Sequence, residues 1–320
     1  MRSKSIFVVV MAVILLTAAN LCKAVQYEII DLGNFGFSDG FSVTSINNFG
    51  QITILGHSGG NYSSFLYDDG VVINLGGSAT RAYAINDQAI IVGQSEISGV
   101  AHAFIYENGS MTFIGGASEG RDINQSGQIL CQNGLIYDNG VTMALPKPTG
   151  YESWSWYAEA INDNGDVTGY LRSPDLPRVR QSFSYIDGII SILNVPEERL
   201  AFDINNSGQI VGTFLGIWEN GVVTGHNLFD AINNAGQAVG GGVLYDGENY
   251  ININTLISPS LGWDLTRANC INDNGWIVGE GFNPDGDFHA FLLTPEPATL
   301  FLLGLGAVMV RKKQKFTKSI

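Results

Sequence analysis

The chain writes Ile-Asn, two further residues and then Gly or Ala seven times, centred on Asn47, Asn86, Asn124, Asn162, Asn205, Asn233 and Asn272. Representative copies read AINDNGDVTG over 160–169, DINNSGQIVG over 203–212 and CINDNGWIVG over 270–279. Five of the intervals are 38 to 43 residues and one is 28. A period in this range marks a repeat architecture, in which each unit buries its apolar surface against the next. The repeat narrows the fold before any single residue is considered.

One unit, residues 82–116, contains four short runs rich in apolar, β-branched and aromatic residues, separated by turn residues. That is the pattern of four antiparallel strands, here lettered A to D. No 3.6-residue apolar period competes with it. The Asn-x-x-Gly unit falls between A and B. There Gly50, Gly127, Gly165, Gly208, Gly236 and Gly275 supply the left-handed conformation that closes a short hairpin. Ala89 is the exception and is expected to hold about 1 kcal/mol of strain. The seven Asn side chains, read as exposed, are expected to cap their turns by accepting from backbone N–H groups rather than to form a ligand array. Strand C recurs as SSFLY (63–67), HAFIY (102–106), QSFSY (181–185) and HAFLL (289–293), and most copies are followed by Gly beside Asp, Asn or Glu, as a tight hairpin requires.

Counting strands gives the architecture. A, B and C occur seven times, but only six D strands are internal, because the seventh unit ends at HAFLLTP. Residues 27–33, YEIIDLG, precede the first A strand and read like the D strand VVINLGG. The N-terminus can therefore complete the last unit, which leaves only short, protected edges. The expected fold is all-β: a seven-bladed β-propeller of four-stranded antiparallel blades. The domain reading is a signal peptide over 1–24, the propeller over 25–294 and a sorting and anchor segment over 295–320. A β-solenoid is the competing architecture, but needs neither four-strand units nor a shared terminal blade.

Ring geometry places the A–B and C–D turns on one face and the B–C and D–A loops on the other. The first set is uniform and the second varies: Gly56–Ser63 with His57, Gly169–Gln181, and Glu280–Asp287. Variable loops on a rigid scaffold are where binding usually resides. The ligand-binding candidates are Tyr151, Trp154, Trp156 and Tyr157 with Arg172, Arg178 and Arg180. Trp154 and Trp156 would share one side of an extended segment, either as a sugar platform or packed inward. Asn283, Asp285 and Asp287 could offer oxygen ligands to Ca²⁺, without the full spacing of a calcium loop; no other cofactor is expected. His102 and His289 hold equivalent repeat positions, which suggests a shared structural hydrogen bond. No catalytic triad, phosphate loop or zinc spacing occurs, and Cys270 reads as a small buried residue.

The ends and the charge point outside the cell. Arg2 and Lys4, an apolar stretch from Ile6 to Leu16, and the small-residue cut Cys22-Lys23-Ala24 form a secretory signal. Residues 25–310 hold 16 − 8 = 8 cations against 30 anions, a balance of −22, which opposes nucleic-acid partners and anionic membrane surfaces. Pro295-Glu296-Pro297, an apolar run from Ala298 to Val310, and Arg311-Lys312-Lys313 resemble the PEP-CTERM sorting signal of Gram-negative, biofilm-forming bacteria. That resemblance implies an exosortase-type sorting enzyme as partner, membrane contact through the C-terminal segment before processing, and a final place in the cell envelope or on the outer surface. Residues 27–293 resemble the HAF family of extracellular repeats, which joins an Ile-Asn-x-x-Gly hairpin to His-Ala-Phe; AHAFIYENG (101–109) and FHAFL (288–292) match it. The family implies a surface context and no known reaction. The reading is a non-enzymatic surface propeller that binds exopolysaccharide or another extracellular polymer, or acts in adhesion. The alternative is a carbohydrate-active hydrolase or lyase using acidic residues of the variable face.

Overall fold

A computed structural model describes residues 27–296 apart from 77, 78, 177, 197, 198 and 226. The signal segment 1–24, His226 and the sorting residues Pro297, Arg311, Lys312 and Lys313 lie outside the described residues. The described chain forms seven four-stranded antiparallel sheets, and its only helical elements are two short 3₁₀ turns, Ile253–Thr255 and Pro259–Leu261. Blade 1 uses Phe41–Ile46, Ile52–Ser58, Asn61–Asp68 and Val71–Asn74. Blades 2 to 6 follow over 81–114, 120–144, 155–192, 200–224 and 231–252. Blade 7 takes A, B and C from Asp264–Ile271, Ile277–Phe282 and Phe288–Pro295, and its outermost strand is the N-terminal Tyr27–Gly33. Tyr27 pairs with Pro295 and Ile30 with Leu292. The first strand therefore closes the ring, as the strand count required.

The apolar core is divided among the seams between blades. Val43, Ile46, Ile52 and Ile54 of blade 1 pack with Val278, Ala290 and Leu292 of blade 7. Comparable clusters fill the other seams, such as Leu66, Leu75, Ala82, Ile85, Ile91 and Phe104 between blades 1 and 2. Each blade is thus buried only by its neighbours, which makes closure a condition of stability.

The repeat Asn residues hold these seams together on the uniform face. Asn47 Oδ1 accepts from Phe49 N and Gln51 N (both 3.0 Å), which caps the turn. Its Nδ2 donates to the carbonyl of Asn86 in the next blade, at 3.0 Å. The same donation runs Asn86 to Asn124, Asn124 to Asn162, Asn162 to Asn205, Asn205 to Asn233, Asn233 to Asn272, and back from Asn272 to Asn47, all at 2.9–3.2 Å. The hydrogen bonds form a closed ring. Here the sequence reading needs correction: these side chains are buried, at 0–5% exposure, not exposed. A buried amide is stable only when both its ends are satisfied, and the turn and the next blade do that.

A second closed ring surrounds the first. The residue after each repeat Asn donates its backbone N–H to the side chain of its counterpart in the next blade: Asn48 to Asp87, Asp87 to Gln125, Gln125 to Asp163, Asp163 to Asn206, Asn206 to Asn234, Asn234 to Asp273, and Asp273 to Asn48. The Gln that ends several motifs ties the two turn types of one face: Gln51, Gln128 and Gln209 donate to Asp68, Asp138 and Glu219 of their own C–D turns. Ala89 has φ +60°, so the expected left-handed strain is present at the one repeat turn without Gly.

The glycine that closes many motif copies, as in IVGQ, has a different cause. In six blades the A–B pairing skips an A-strand residue, a β-bulge at Thr44, Tyr83, Arg121, Glu159, Phe202 and Asn269, with a second skip at Thr266 in blade 7. The bulge presses the A-strand backbone onto strand B. A Cβ at Gly93, Gly212 or Gly279 would sit 2.0, 1.8 or 1.9 Å from the carbonyl oxygen of Arg81, Leu200 or Arg267.

Candidate functional site

In those six blades the bulges aim consecutive A-strand side chains into the middle of the ring, a usual consequence of the extra residue, and in blade 6 Asp230 takes the same place just before strand A. The result is a central funnel of about 450 Å³ walled by all seven blades, with Thr44, Tyr83, Arg121, Glu159, Phe202, Asp230 and Asn269 at one level. Each stands three residues before its repeat Asn, and no two are alike in type. The level below holds Ser45, Ala84, Asp122, Ala160, Asp203, Ala231 and Cys270. Towards the uniform face the passage narrows to about 150 Å³ between the Ile and Asn residues of the repeats.

Both arginines of the funnel are paired. Arg121 reaches Glu159 at 2.6 Å and Glu119 at 3.6 Å. Arg267 meets Asp230 at 3.1 Å. Burial raises the carboxyls of Glu119 and Glu159, and the Arg121 charge offsets part of that rise. Glu280 Oε1 accepts from Ser42 Oγ, Val43 N and Asn269 Nδ2, bracing blade 7 against blade 1. Asp122 and Asp203 line the passage, with part of each open to it and protein on every other side. Asp122 accepts from Ile123 N and Ile161 N, and Asp203 from Ile204 N and Ile232 N, so each carboxylate also bridges two blades. Desolvation still dominates these bonds and pushes Asp122 up to about 6 and Asp203 up to about 7; the Asp122 charge adds to the rise at Asp203. Cys270 donates to Thr44 O, and burial raises its thiol well above the usual range. The thiolate needed for reactivity is therefore suppressed.

The residues proposed from sequence for ligand binding separate into two groups. Tyr151, Trp154 and Trp156 pack against the core between blades 3 and 4. Trp156 meets Phe183 edge-on at 4.9 Å, Tyr151 meets Trp154 at 4.8 Å, and Lys147 Nζ caps the carbonyls of Glu152 and Trp154. The two tryptophans do share one side, and that side faces inward. Tyr157, Arg172 and Arg180 come together instead on blade 4. Strand A begins at Ser155 and strands B and C extend to Arg172 and from Arg180, so these are strand residues, not loop residues. Tyr157 stands opposite Tyr170 and stacks on it at 4.9 Å with a 5° interplanar angle. Arg172 lies over Tyr157 at 5.2 Å and Arg180 over Tyr170 at 5.6 Å. Tyr170, absent from the sequence reading, completes an Arg-Tyr-Tyr-Arg ladder at the variable end of the blade. Arg178 is exposed in the loop above it.

The other loops are shorter than expected. His57 pairs with Tyr62 inside a hairpin turned by Gly59 and Gly60, and the two rings lie 4.6 Å apart. Asn283 spends its Oδ1 on Asp285 N (3.1 Å) and Asp287 N (2.9 Å), an Asn-capped turn like those of the repeats, while Asp285 and Asp287 are exposed. Among the described residues no three His, Cys, Asp or Glu side chains gather as a metal site. His289 binds Asp31 at 2.8 Å, whereas His102 lies against the edge of Phe113, so the two equivalent histidines do not share one bond.

Charge divides the propeller by face. The eight cations of residues 25–310 are Arg81, Arg121, Lys147, Arg172, Arg178, Arg180, Arg199 and Arg267, and all belong to the variable half. The A–B and C–D turns of the uniform face hold Asp and Glu and neither Lys nor Arg. The chain leaves the domain on that acidic face: Gly275, in an A–B turn, has Pro295 and Tyr27 among its nearest neighbours.

Comparison with known proteins bears on the C-terminal segment. The model of the PEP-CTERM protein-sorting motif matches residues 293–313. That motif is the recognition signal of exosortase-type sorting enzymes and marks exported proteins sorted to the surface of Gram-negative bacteria. No curated protein shows significant sequence similarity to the chain. Among solved structures the chain is similar to the β-propeller domain of the Trilobed protease from Pyrococcus furiosus, with 12% identity and a TM-score of 0.39 over 80% of this chain and 84% of that one. It is also similar to YCF48 from Cyanidioschyzon merolae, with 11% identity and a TM-score of 0.44 over 85% of this chain and 99% of that one. For Pyrococcus horikoshii acylaminoacyl peptidase the values are 11% and 0.39, over 83% of this chain but 47% of that one. At such values the architecture rests on the strand pairing itself.

Proposed function

We propose that this propeller is a non-enzymatic binding protein of the cell surface, and that its variable face holds an extracellular polymer such as exopolysaccharide. One observation carries the reading: the repeat positions on the uniform face are nearly identical, while the equivalent funnel positions and the rim above them differ in every blade. A wall of seven unlike side chains suits recognition of one ligand, and a rigid ring around it supplies preorganisation. The repeats would be of the extracellular HAF type. Because the chain leaves on the acidic face, sorting through the C-terminus would hold that face towards the envelope and turn the variable face outwards.

The test is a glycan array combined with a reducing-sugar assay on the exported protein. Binding without turnover is the expected result. Turnover that disappears on replacing a variable-face carboxylate such as Glu159 would support the rival reading, a carbohydrate-active hydrolase or lyase. Absence of both would leave the propeller as a purely structural surface element and overturn the proposal.

A further inference from the structure

We infer that the rim of blade 4 is an anion-binding site, and that the polymer it takes carries carboxylate groups, as a polyuronate does. The inference rests on the polymer-binding reading for its setting and on independent geometry for its chemistry. Arg172 and Arg180 are direct partners across strands B and C. Like charges placed opposite each other destabilise a sheet. A chain with 30 acids has ample means to neutralise such a pair, and it does so elsewhere, at Arg121 and Arg267. Yet among the described residues Arg172, Arg178 and Arg180 form no ion pair. The Nε of Arg180 is buried and has no hydrogen-bond partner. An unpaired buried donor is costly; it lies below the surface, and a carboxylate bound at the outer N–H groups of the two half-exposed guanidiniums would relieve the Arg172–Arg180 repulsion.

The tyrosines explain why the pair persists without the ligand. Guanidinium groups over Tyr157 and Tyr170 gain cation–π attraction and are held in one geometry. The two rings stack on each other and each has a guanidinium over it, so the ladder offers a charged surface rather than a bare aromatic platform. It presents N–H donors in a fixed fork, the arrangement that matches a carboxylate. Exposed Arg178 adds a third donor group to the same rim.

The experiment measures binding of the exported protein to polygalacturonate and to dextran, a neutral polymer, by calorimetry at low and high salt. Polygalacturonate should bind, dextran should not, and affinity should fall steeply as salt screens the arginines. Arg178→Gln, an exposed change that disturbs no packing, should weaken polygalacturonate binding roughly tenfold, the worth of one charge-assisted contact. Arg180→Lys keeps the charge but loses the planar fork of N–H donors and should weaken it as well. Dextran binding equal to that of polygalacturonate, or polygalacturonate binding indifferent to both variants, overturns the anion assignment and leaves polymer binding standing. Binding of neither polymer overturns this inference, and the glycan array then decides the broader reading separately.

Discussion

The inner asparagine ring makes a demanding prediction at Asn205. Its Oδ1 accepts from Ser207 N (3.1 Å) and Gln209 N (3.0 Å), and its Nδ2 donates to Gln209 Oε1 (2.8 Å) and to Asn233 O (3.1 Å) in the next blade. The residue is 3% exposed. Asn205→Ala removes four hydrogen bonds and strands a buried carbonyl at the seam. Each bond is worth about 0.5–1.5 kcal/mol net, and part of the gross loss is recovered by relaxation of the turn, so the expected cost is about 3 kcal/mol. For a domain of this size the urea m-value is about 3 kcal/mol/M, and the midpoint should fall by about 1 M at unchanged m. The control is Asn206→Ala, one residue on. Its side chain accepts from Asp163 N and donates to the Asp163 carboxylate, where solvent can replace both bonds, and it should cost no more than about 1 kcal/mol. Equal costs for the two variants, or a cost under about 1 kcal/mol at Asn205, would show that the closed ring does not hold the seams.

Two further outcomes follow from the backbone and the passage. Ala89→Gly should stabilise the domain by about 1 kcal/mol, because φ +60° is strained for Ala and free for Gly; a lower urea midpoint would refute this. The folded carboxyls of Asp122 and Asp203, at about 6 and about 7, lie above the ordinary value of 3.8. The folded state therefore binds more protons than the unfolded state between about pH 4 and 7, and the contribution of these two groups to stability is full below that window and lost as pH rises through it. Carbon-13 titration of the two side chains checks this, and ordinary values near 4 for both would sink it.

The scaffold was legible because each repeated residue answers a backbone demand. Gly50 and its equivalents need a left-handed turn, the Asn needs two amides to cap, and YEIIDLG at 27–33 needs a sheet to join. The burial of the Asn side chains was not legible, since turn chemistry alone accounts for one end of the amide, and the carbonyl that takes the other end is 28–43 residues away along the chain in six copies and 225 in the closing one. The funnel was half legible: reading three residues back from each repeat Asn collects Thr44, Tyr83, Arg121, Glu159, Phe202, Asp230 and Asn269 without a structure.

The Arg-Tyr ladder shows where such reading stops. Counting back from the turn of blade 4, Ile161 faces Val167 and Ala160 faces Thr168. An unbroken ladder would next set Glu159 against Gly169, Ala158 against Tyr170 and Tyr157 against Leu171. Tyr157 and Tyr170 would then project from opposite faces of the sheet, because successive side chains alternate. The bulge at Glu159 drops one residue from the count, sets Ala158 against Gly169 and brings Tyr157 opposite Tyr170. It also turns Glu159 into the funnel, where Arg121 receives it. One extra residue thus creates the wall of the funnel and the ladder on its rim. Gly169, whose Cβ would lie 2.2 Å from Tyr157 O, is the sequence trace of that bulge, so the glycine that reads as a strand defect is what places the candidate site.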